Sequence, residues 1–399
     1  MTHIAIVDNP FDFTSMHTAI QKYVDDNLLA GASAVVLKEN KIVDYKTWGY
    51  SDIESSTPVS EDTIFRIYSN TKIITSVAAM CLYEDGKFLL DDPLEKYLPQ
   101  LANLTVLKSG STDPLETEAL EIRPTIKQLM SHHAGFSYGL FTESPVDALY
   151  MERNVLDPAG TLEDLVTKVA DIPLAYQPAA RWQYSVSTDI LGRLVEVWSG
   201  MSFIEFLTLR IFEPLGMHDT DFHVPAEKHG RLATNYVPDD PMEPMKPGLN
   251  VQPDTLLGSF LEPKPLMSGG AGLVSTLPDY TTFIKMLVGE GVINGVRILK
   301  PETVLMMHTN QLPEGMGVQL PNWFMPNTVF GIGMAIKSQP LEGEPDQAID
   351  EFHWGGLAGT HTWISPRAGV AALIFTQRLP GFWHEFSHEF KRQVYAATT

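Results

Sequence analysis

The sequence contains a single cysteine, Cys81, so it cannot form an internal disulfide. Cys81 lies in the apolar run "SVAAMCLY", which is typical of a small residue in a protein core. No segment approaches the roughly 18 consecutive apolar residues that a membrane-spanning helix requires. The start, "MTHIAIVDNPFDF", also lacks the basic and apolar regions of a secretory signal. We therefore expect a cytoplasmic protein with no membrane partner.

Positive charge is scarce as well. Lys and Arg total 28 against 49 Asp and Glu, which gives a net charge of -21. A surface this acidic repels phosphate backbones and anionic lipid headgroups, so we expect no nucleic acid partner. Hydrophobic residues make up 44% of the 399 positions, which predicts a folded chain with a large core rather than a disordered one. The oligomeric state is left open by these observations.

The hydrophobic periodicity predicts a sheet whose strands come from both ends of the chain. "GASAVVLK" and "KIVDYKTWGY" resemble a β-hairpin, and further strands are predicted at 330–336, 360–365 and 370–377. Helices are predicted at 13–28, 70–84, 125–131, 161–170, 188–199 and 203–212, after Pro278, and at the C-terminal end. We predict an α/β (α+β) fold in which residues 1–64 and 265–399 form an antiparallel sheet domain with flanking terminal helices. Residues 65–264 are expected to form a mainly helical domain, with the active site at the interface.

Residues 384–388, "HEFSH", match the zinc motif H-E-x-x-H, in which two histidines share one face of a helix. A catalytic zinc also requires a third protein ligand, usually farther along the chain, and no histidine follows this segment. An amphipathic terminal helix with Phe382, Phe386 and Phe390 facing inward explains the pattern better. We therefore expect no metal and no other cofactor.

Residues 135–139, "GFSYG", match the G-x-S-x-G motif of α/β-hydrolases, which would make Ser137 a nucleophile. That motif requires a strand before the serine and a helix after it. Here a helix-like segment precedes and a loop follows, so the context is inverted. A loop lining a pocket is the better interpretation, and His132, His133 and Tyr138 would be placed to face that pocket.

Ser69 and Lys72, in "YSNTK", form an S-x-x-K motif at the predicted start of a helix. Residues three apart lie on the same side of a helix, so the lysine amine would reach the serine hydroxyl. The helix end offers unpaired N–H groups that stabilise an oxyanion. The following run "IITSVAAMCLY" is apolar enough to bury the lysine, and desolvation is one way to make an amine an effective base.

Two later segments supply companions for this motif. Tyr184, in "RWQYSVSTDILG", lies at a predicted loop-to-helix junction and offers a phenol that can shuttle a proton. "FHWGGLAGTHTWIS" places Gly355 and Gly356 in a predicted strand edge, where the lack of side chains allows close approach of an acyl group.

Ser69-x-x-Lys72, Tyr184 and the glycine-rich strand, in this order, resemble the serine β-lactamase and penicillin-binding protein superfamily. The segments "LMSHHAGFSYG", "IFEPLGMHDTDF" and "GGAGLVSTLPDYTTFIKML" extend the resemblance over most of the chain. It is closest to family VIII carboxylesterases and the related acyltransferases that act on statin-like polyketides. The resemblance implies catalytic roles for Ser69, Lys72 and Tyr184, with either of the last two as the base. It also implies an oxyanion hole formed by N–H groups of Ser69 and of Gly356 or Leu357.

The sequence departs from the β-lactamase pattern at two places. Tyr184-Ser185-Val186 lacks the usual Tyr-x-Asn amide, and the third motif, within His353-Trp354-Gly355-Gly356, lacks the usual lysine. Since that lysine suits anionic β-lactams and peptidoglycan stems, its replacement favours neutral esters. We therefore expect a carboxylesterase for short-to-medium acyl chains, with Tyr138, His353, Trp354 and Gly355 lining the substrate site. An acyltransferase with the same residues, a β-lactamase or DD-peptidase, and a non-catalytic relative are the alternatives.

Overall fold

The computed structural model describes residues 4–140, 143–240, 243–253, 257–320, 323–382 and 384–399. Its α-helices, in chain order, are α1 (Thr14–Asp25), α2 (Thr71–Glu84), α3 (Ile126–Met130), α4 (Asp147–Glu152), α5 (Leu162–Ala170), α6 (Ser187–Ser199), α7 (Phe203–Leu207), α8 (Glu213–Leu215), α9 (Leu277–Val288), α10 (Pro301–Met307) and α11 (Glu385–Thr398). A π-helical turn, Thr208–Phe212, joins α7 to α8.

The strands, in chain order, are β1 (Gly31–Lys38), β2 (Lys41–Asp52), β3 (Thr57–Pro58), β4 (Ile64–Arg66), β5 (Val106–Leu107), β6 (Thr117–Glu118), β7 (Tyr236–Pro238), β8 (Leu249–Val251), β9 (Val274–Thr276), β10 (Val292–Ile293), β11 (Val296–Arg297), β12 (Gln319–Leu320), β13 (Trp323–Phe324), β14 (Thr328–Phe330), β15 (Ala335–Lys337), β16 (Phe352–Gly356), β17 (Thr360–Ser365) and β18 (Val370–Phe375). Among the described residues, eight of them form one antiparallel sheet in the order β14-β15-β16-β17-β18-β1-β2-β3. The predicted fold class, with a sheet contributed by both ends of the chain, is confirmed.

Both faces of the central strands are covered, because alternate side chains of a strand point to opposite sides. Ala34 and Val36 of β1 pack into a core shared with the terminal helices α1 and α11. Val35 and Leu37 join the larger core on the other face, where α9 contacts β1 and β18. This explains why β1 and β18 are continuous apolar runs in the sequence rather than alternating ones.

Helix α2 lies at the centre of the helical part of the molecule. Every residue from Thr71 to Leu82 is buried, and α6 packs against it. A helix that is apolar on all sides must be enclosed by other elements, as the run "IITSVAAMCLY" predicted. Lys72, the second residue of α2, is therefore held in a buried position by the fold itself.

The prediction of one continuous strand at 330–336 is wrong. The segment forms two strands, β14 and β15, joined by a tight turn over residues 331–334. Gly333 adopts φ = 77°, and a Cβ at this position would lie 2.1 Å from Ser76 Oγ of α2. The turn thus packs directly against α2, a tertiary contact that hydrophobic periodicity does not reveal.

Within the part of the chain that the structure describes, no helix has both the length and the apolar character needed to cross a bilayer.

Asp279, in the first turn of α9, leads to a stability prediction. It is buried and accepts hydrogen bonds from Asp219 N–H at 2.7 Å and Thr220 Oγ1 at 3.2 Å. Burial raises the pKa of Asp279 to about 6. Because the folded chain binds this proton more tightly than the unfolded chain does, stability is gained below the unfolded pKa and lost as pH rises through about 6.

We therefore expect Asp279→Asn to raise the melting temperature at pH 8, since the amide is close in shape and carries no charge. The gain should shrink as the pH is lowered to 4.5, where the wild-type carboxyl is largely protonated. Thermal unfolding at both pH values measures this. A gain of equal size at pH 8 and pH 4.5, or no gain at pH 8, would contradict the explanation.

Candidate active site

Ser69 lies in a strained turn that leads into α2. Tyr68–Asn70 form a 3₁₀ turn, and α2 begins at the next residue. Tyr68 has φ = 41°, which is unusual for a residue other than glycine. Its ring packs edge-on against Phe260 at 6.0 Å and its hydroxyl accepts a hydrogen bond from Asn235 at 3.1 Å, so the packing holds the strained backbone. Ser69 is partly exposed between these buried neighbours.

Lys72 and Tyr184 both converge on the Ser69 hydroxyl. Tyr184 OH donates a hydrogen bond to Ser69 Oγ at 2.7 Å, and Lys72 Nζ lies 3.3 Å from the same oxygen. Lys72 reaches it because it lies one turn along the same side of the helix. Tyr184 reaches it from the loop that precedes α6. The structure thus brings together the three side chains that the sequence singled out.

The buried Lys72 amine is enclosed by a carbonyl and two aromatic rings. Its Nζ donates to Gly270 O at 2.7 Å and lies 4.5 Å from the ring centre of Tyr184 and 5.2 Å from that of Tyr138. The Tyr138 ring stacks on Tyr184 at 5.4 Å. Burial raises the pKa of Tyr138 well above its usual value, so this residue remains a neutral phenol. Tyr138 therefore forms one wall of the Lys72 environment.

Ser137, the alternative nucleophile, has a different setting. It is buried, its hydroxyl donates to the carboxylate of Asp147, and its backbone N–H donates to Tyr150 OH at 3.1 Å. Helix α3 precedes it, so the strand–serine–helix context of a nucleophile elbow is missing from this stretch of the described chain. These bonds fix the loop that carries Tyr138.

Strand β16 places Trp354 and His353 on opposite faces of the sheet. The Trp354 ring lies 5.4 Å from that of Tyr184 and 5.5 Å from that of Phe330. His353 pairs with Trp363 of β17 and faces the side covered by α11, where desolvation lowers the pKa of its ring well below the usual value. The structure therefore separates His353 from the Ser69 group, contrary to the expectation that it lines the site, because successive strand residues alternate.

Neighbouring protein atoms leave no space for a side chain at Gly355 or Gly356 of β16. A Cβ on Gly355 would lie 2.9 Å from His361 Nδ1 and 3.0 Å from Phe382. A Cβ on Gly356 would lie 2.2 Å from Thr360 Oγ1 and 2.3 Å from Ile67 O. The missing side chain of Gly355 therefore makes room for Phe382, whereas that of Gly356 lets the strand approach the turn that carries Ser69.

Thr360 and Asn70 join the β16–β17 hairpin to the serine turn, and neither was singled out from the sequence. Asn70 Nδ2 donates to Thr360 O at 2.9 Å, and Thr360 Oγ1 donates to Ile67 O at 3.0 Å. Leu357, partly buried, follows Gly356 directly in the connection between the two strands. These bonds tie the end of the hairpin, and with it Gly356, to the turn that carries Ser69.

His132 lies behind Tyr184. Its ring centre is 5.2 Å from that of Tyr184, and its Nδ1 is 3.1 Å from Ser185 Oγ. Burial lowers the pKa of His132 well below its usual value, so the ring is neutral. His133 is also buried, but its Nδ1 contacts Ser131 Oγ at 2.9 Å.

A buried carboxylate, Asp189, also belongs to this region and was missed in the sequence. It lies in the first turn of α6, and its Oδ1 accepts hydrogen bonds from Gly270 N–H at 3.0 Å and from Ser268 Oγ at 2.5 Å. Gly270 is the residue whose carbonyl binds Lys72. Nothing in the sequence indicated a role for Asp189, because its contact with Gly270 depends on how α6 packs against a loop 81 residues away.

The H-E-x-x-H segment begins outside the helix. Helix α11 starts at Glu385, and His384 precedes it as the N-cap, with Nδ1 accepting from Phe386 N–H at 3.3 Å and Nε2 3.0 Å from Pro244 O. Phe386 and Phe390 are buried on the inner face of the helix, while Phe382 lies in the preceding loop. Among the described residues, His, Cys, Asp and Glu form no group of three or more that would hold a metal ion.

The Ser69, Lys72 and Tyr184 group lies beside strand β16 of the eight-stranded antiparallel sheet, and the fold is of the β-lactamase/transpeptidase-like class. The family model described as Beta-lactamase matches residues 16–396, and the chain belongs to this family. This confirms the resemblance drawn from Ser69, Lys72 and Tyr184. The family comprises serine hydrolases, and relatives of this chain include esterases and acyltransferases.

Three similar proteins illustrate the relationship. Protein Rv1367c of Mycobacterium tuberculosis is 30% identical over 370 residues, covering 91% of this chain and 89% of the relative. Esterase EstB of Burkholderia gladioli is 29% identical over 363 residues, covering 87% and 86%. The solved structure of EstCE1, "a hydrolase with promiscuous acyltransferase activity", superposes with a TM-score of 0.80 at 23% identity, covering 96% of this chain and 97% of that one. This last likeness shows the shared fold.

Proposed function

We propose that the protein is a carboxylesterase that hydrolyses neutral esters with short-to-medium acyl chains through an acyl-enzyme on Ser69. The observation that carries the proposal is the convergence of Tyr184 OH and Lys72 Nζ on Ser69 Oγ, at 2.7 Å and 3.3 Å. A serine hydroxyl is a weak nucleophile, and a proton acceptor within hydrogen-bond reach is what activates it.

In the proposed reaction, Ser69 Oγ attacks the ester carbonyl while its proton passes to Lys72 or Tyr184. The tetrahedral intermediate collapses, the bond to the alcohol oxygen breaks, and Tyr184 returns a proton to the leaving alkoxide. Water then attacks the acyl-enzyme and loses a proton to the same pair. The acyl–Oγ bond breaks, the pair returns that proton to Ser69 Oγ, and the carboxylic acid is released. The two groups contact both the nucleophile and each other, so a proton has a short path between them.

We assign the oxyanion hole to the backbone N–H groups of Ser69 and of Gly356 or Leu357. The close approach of Gly356 to Ile67 and the bonds between Thr360 and the serine turn support this assignment. Rigid donors of this kind act without reorganisation when charge develops on the carbonyl oxygen. No cofactor or metal takes part in the proposed steps.

Trp354 supports esters over β-lactams as substrates. Its indole is buried between Tyr184 and Phe330, so this part of the site is built from apolar rings and lacks the ammonium group that the β-lactamase pattern supplies. A carboxylate-bearing substrate would lose a charge-assisted hydrogen bond there, whereas a neutral ester would lose nothing. The names of EstB and EstCE1, an esterase and a hydrolase, agree with this choice.

The substrate preference is tested by comparing p-nitrophenyl butyrate with nitrocefin under the same conditions. We expect kcat/KM for the ester to exceed that for nitrocefin by about 100-fold or more, the loss that an unpaired carboxylate causes in a buried site. Ser69→Ala is the control that separates enzyme turnover from a contaminant. Nitrocefin turnover faster than ester hydrolysis would favour the β-lactamase or DD-peptidase alternative.

Acyl transfer is a second candidate, favoured by the printed description of EstCE1 as a hydrolase with promiscuous acyltransferase activity. The same residues would act, with an alcohol replacing water in the second step. Adding alcohol acceptors and measuring the ratio of new ester to free acid separates the two. We expect free acid to predominate at millimolar acceptor; predominant ester would identify a transferase.

A further inference from the structure

The Lys72 amine is held in place by a network that extends away from Ser69. Lys72 Nζ donates to Gly270 O at 2.7 Å, and Ala271 N–H, of the same peptide group as that carbonyl, donates to Ser268 Oγ at 3.1 Å. Ser268 Oγ in turn donates to Asp189 Oδ1 at 2.5 Å, and Gly270 N–H donates to the same oxygen at 3.0 Å. One carboxylate oxygen thus anchors both peptide groups of Gly270.

We propose that Asp189 is a positioning residue that, through Ser268 and Gly270, fixes the carbonyl holding Lys72 beside Ser69. We call these three residues the Asp189 clamp. The proposal rests on the proposed function, in which Lys72 exchanges a proton with Ser69. The clamp itself does not touch the nucleophile, so its effect on catalysis passes through the lysine.

The packing around the clamp leaves no room for a side chain at Gly269 or Gly270. A Cβ on Gly270 would lie 2.5 Å from Asp189 Oδ2, and a Cβ on Gly269 would lie 2.5 Å from Thr188 O. Thr75 of α2 adds a further bond, donating to Gly269 O at 2.7 Å. The loop is therefore pressed between α6 and α2, and glycine is required at both positions.

Burying the Asp189 side chain has a desolvation cost that packing alone does not explain. It is fully buried, and its Oδ2 has no hydrogen-bond partner among the described residues. Lys72, from α2, lies near it, and Tyr138, from the 135–139 loop, faces it as a phenol. An apolar residue would fill the same space with a smaller desolvation cost. We therefore attribute the presence of a carboxyl group here to the two hydrogen bonds that its oxygen accepts from Ser268 and Gly270.

The test compares Asp189→Ala, Asp189→Asn and Ser268→Ala for hydrolysis of p-nitrophenyl butyrate. We expect Asp189→Ala to lower kcat by about 100-fold, as a misplaced catalytic group does, with KM within about twofold. Asp189→Asn keeps an oxygen that accepts from Gly270 and Ser268, so it should restore kcat to within about tenfold of wild type. Ser268→Ala, which breaks one of the two links, should lower kcat by about tenfold.

Asp279→Ala is the matched control, because it removes another buried carboxylate whose hydrogen bonds go to Asp219 and Thr220. It should leave kcat unchanged within about threefold. An equal loss in Asp279→Ala and Asp189→Ala would overturn the proposal, since general destabilisation would explain both. Equal losses in Asp189→Asn and Asp189→Ala would also overturn it, because charge rather than geometry would then matter.

Reaction with an alkyl fluorophosphonate separates this proposal from the esterase proposal. Ser69 Oγ would bond to phosphorus, fluoride would leave, and the hydroxyl proton would pass to the Lys72–Tyr184 pair. If no ester is hydrolysed but Ser69 is phosphonylated more slowly in Asp189→Ala, the esterase proposal fails and the clamp stands. If esters are hydrolysed and all clamp variants react at the wild-type rate, only the clamp fails.

Discussion

Replacing Ser69 by alanine is expected to lower kcat for p-nitrophenyl butyrate by about four to six orders of magnitude, the loss seen when a catalytic serine is removed. Lys72 Nζ and Tyr184 OH both approach Ser69 Oγ, at 3.3 Å and 2.7 Å, so the substitution removes the oxygen on which the proposed acid–base pair acts. Initial-rate measurements with purified protein check this. Unchanged thermal unfolding would show that the loss is chemical, since Ser69 is only partly buried.

Ser137→Ala is the matched control for that experiment. It removes a hydroxyl of the same kind, within the better-known G-x-S-x-G pattern, but one that donates to Asp147 inside a buried loop. We expect some loss of stability, about 1–3 kcal/mol, because the buried Asp147 carboxylate loses a partner, with kcat within about tenfold of wild type. Activity abolished in Ser137→Ala but retained in Ser69→Ala would show that the site assignment is wrong.

Tyr184→Phe is expected to lower kcat by about 10²- to 10⁴-fold, the contribution of a positioned acid–base group. The substitution removes the hydroxyl 2.7 Å from Ser69 Oγ and keeps the ring that packs against Tyr138 and Trp354. KM should change little, because the lost interaction concerns proton transfer rather than substrate binding. Steady-state kinetics on esters with good and poor leaving groups check this.

The effect of Tyr184→Phe should be larger for a poor leaving group, such as an alkyl ester, than for a p-nitrophenyl ester. An alkoxide needs the returned proton, whereas p-nitrophenolate leaves without one. Tyr150→Phe is a suitable control, since it removes a buried phenol hydroxyl that accepts from Ser137 N–H. Equal kcat in Tyr184→Phe and wild type on both substrates would remove Tyr184 from the mechanism.

The sequence predicted those parts of the site that depend on local geometry. The spacing of Ser69 and Lys72 places both on one side of a helix, and the apolar run after them requires that helix to be buried. Tyr184, 115 positions from Ser69, followed from the resemblance to a family, since no local rule joins it to Ser69. The hairpin of β1 and β2 and the terminal helices followed from periodicity and turn residues.

Features that depend on contacts between distant segments could not be predicted in this way. The contact of Gly270 with Lys72 joins positions 198 residues apart. Asp189, from a third segment, accepts a hydrogen bond from Gly270 N–H. The turn at 331–334 is set by its contact with α2, and the side that His353 faces depends on the register of β16. In each case a neighbouring element, rather than the residue's own segment, decides the geometry.

The most direct test of the central claim is to trap the acyl-enzyme and locate it. The protein would be mixed with p-nitrophenyl butyrate, quenched in acid within the first turnovers, digested and examined by peptide mass spectrometry. We predict one butyryl group on the peptide that contains Ser69, present in Ser137→Ala and absent in Ser69→Ala. A butyryl group on Ser137 or on another residue, with the Ser69 peptide unmodified, would contradict the account.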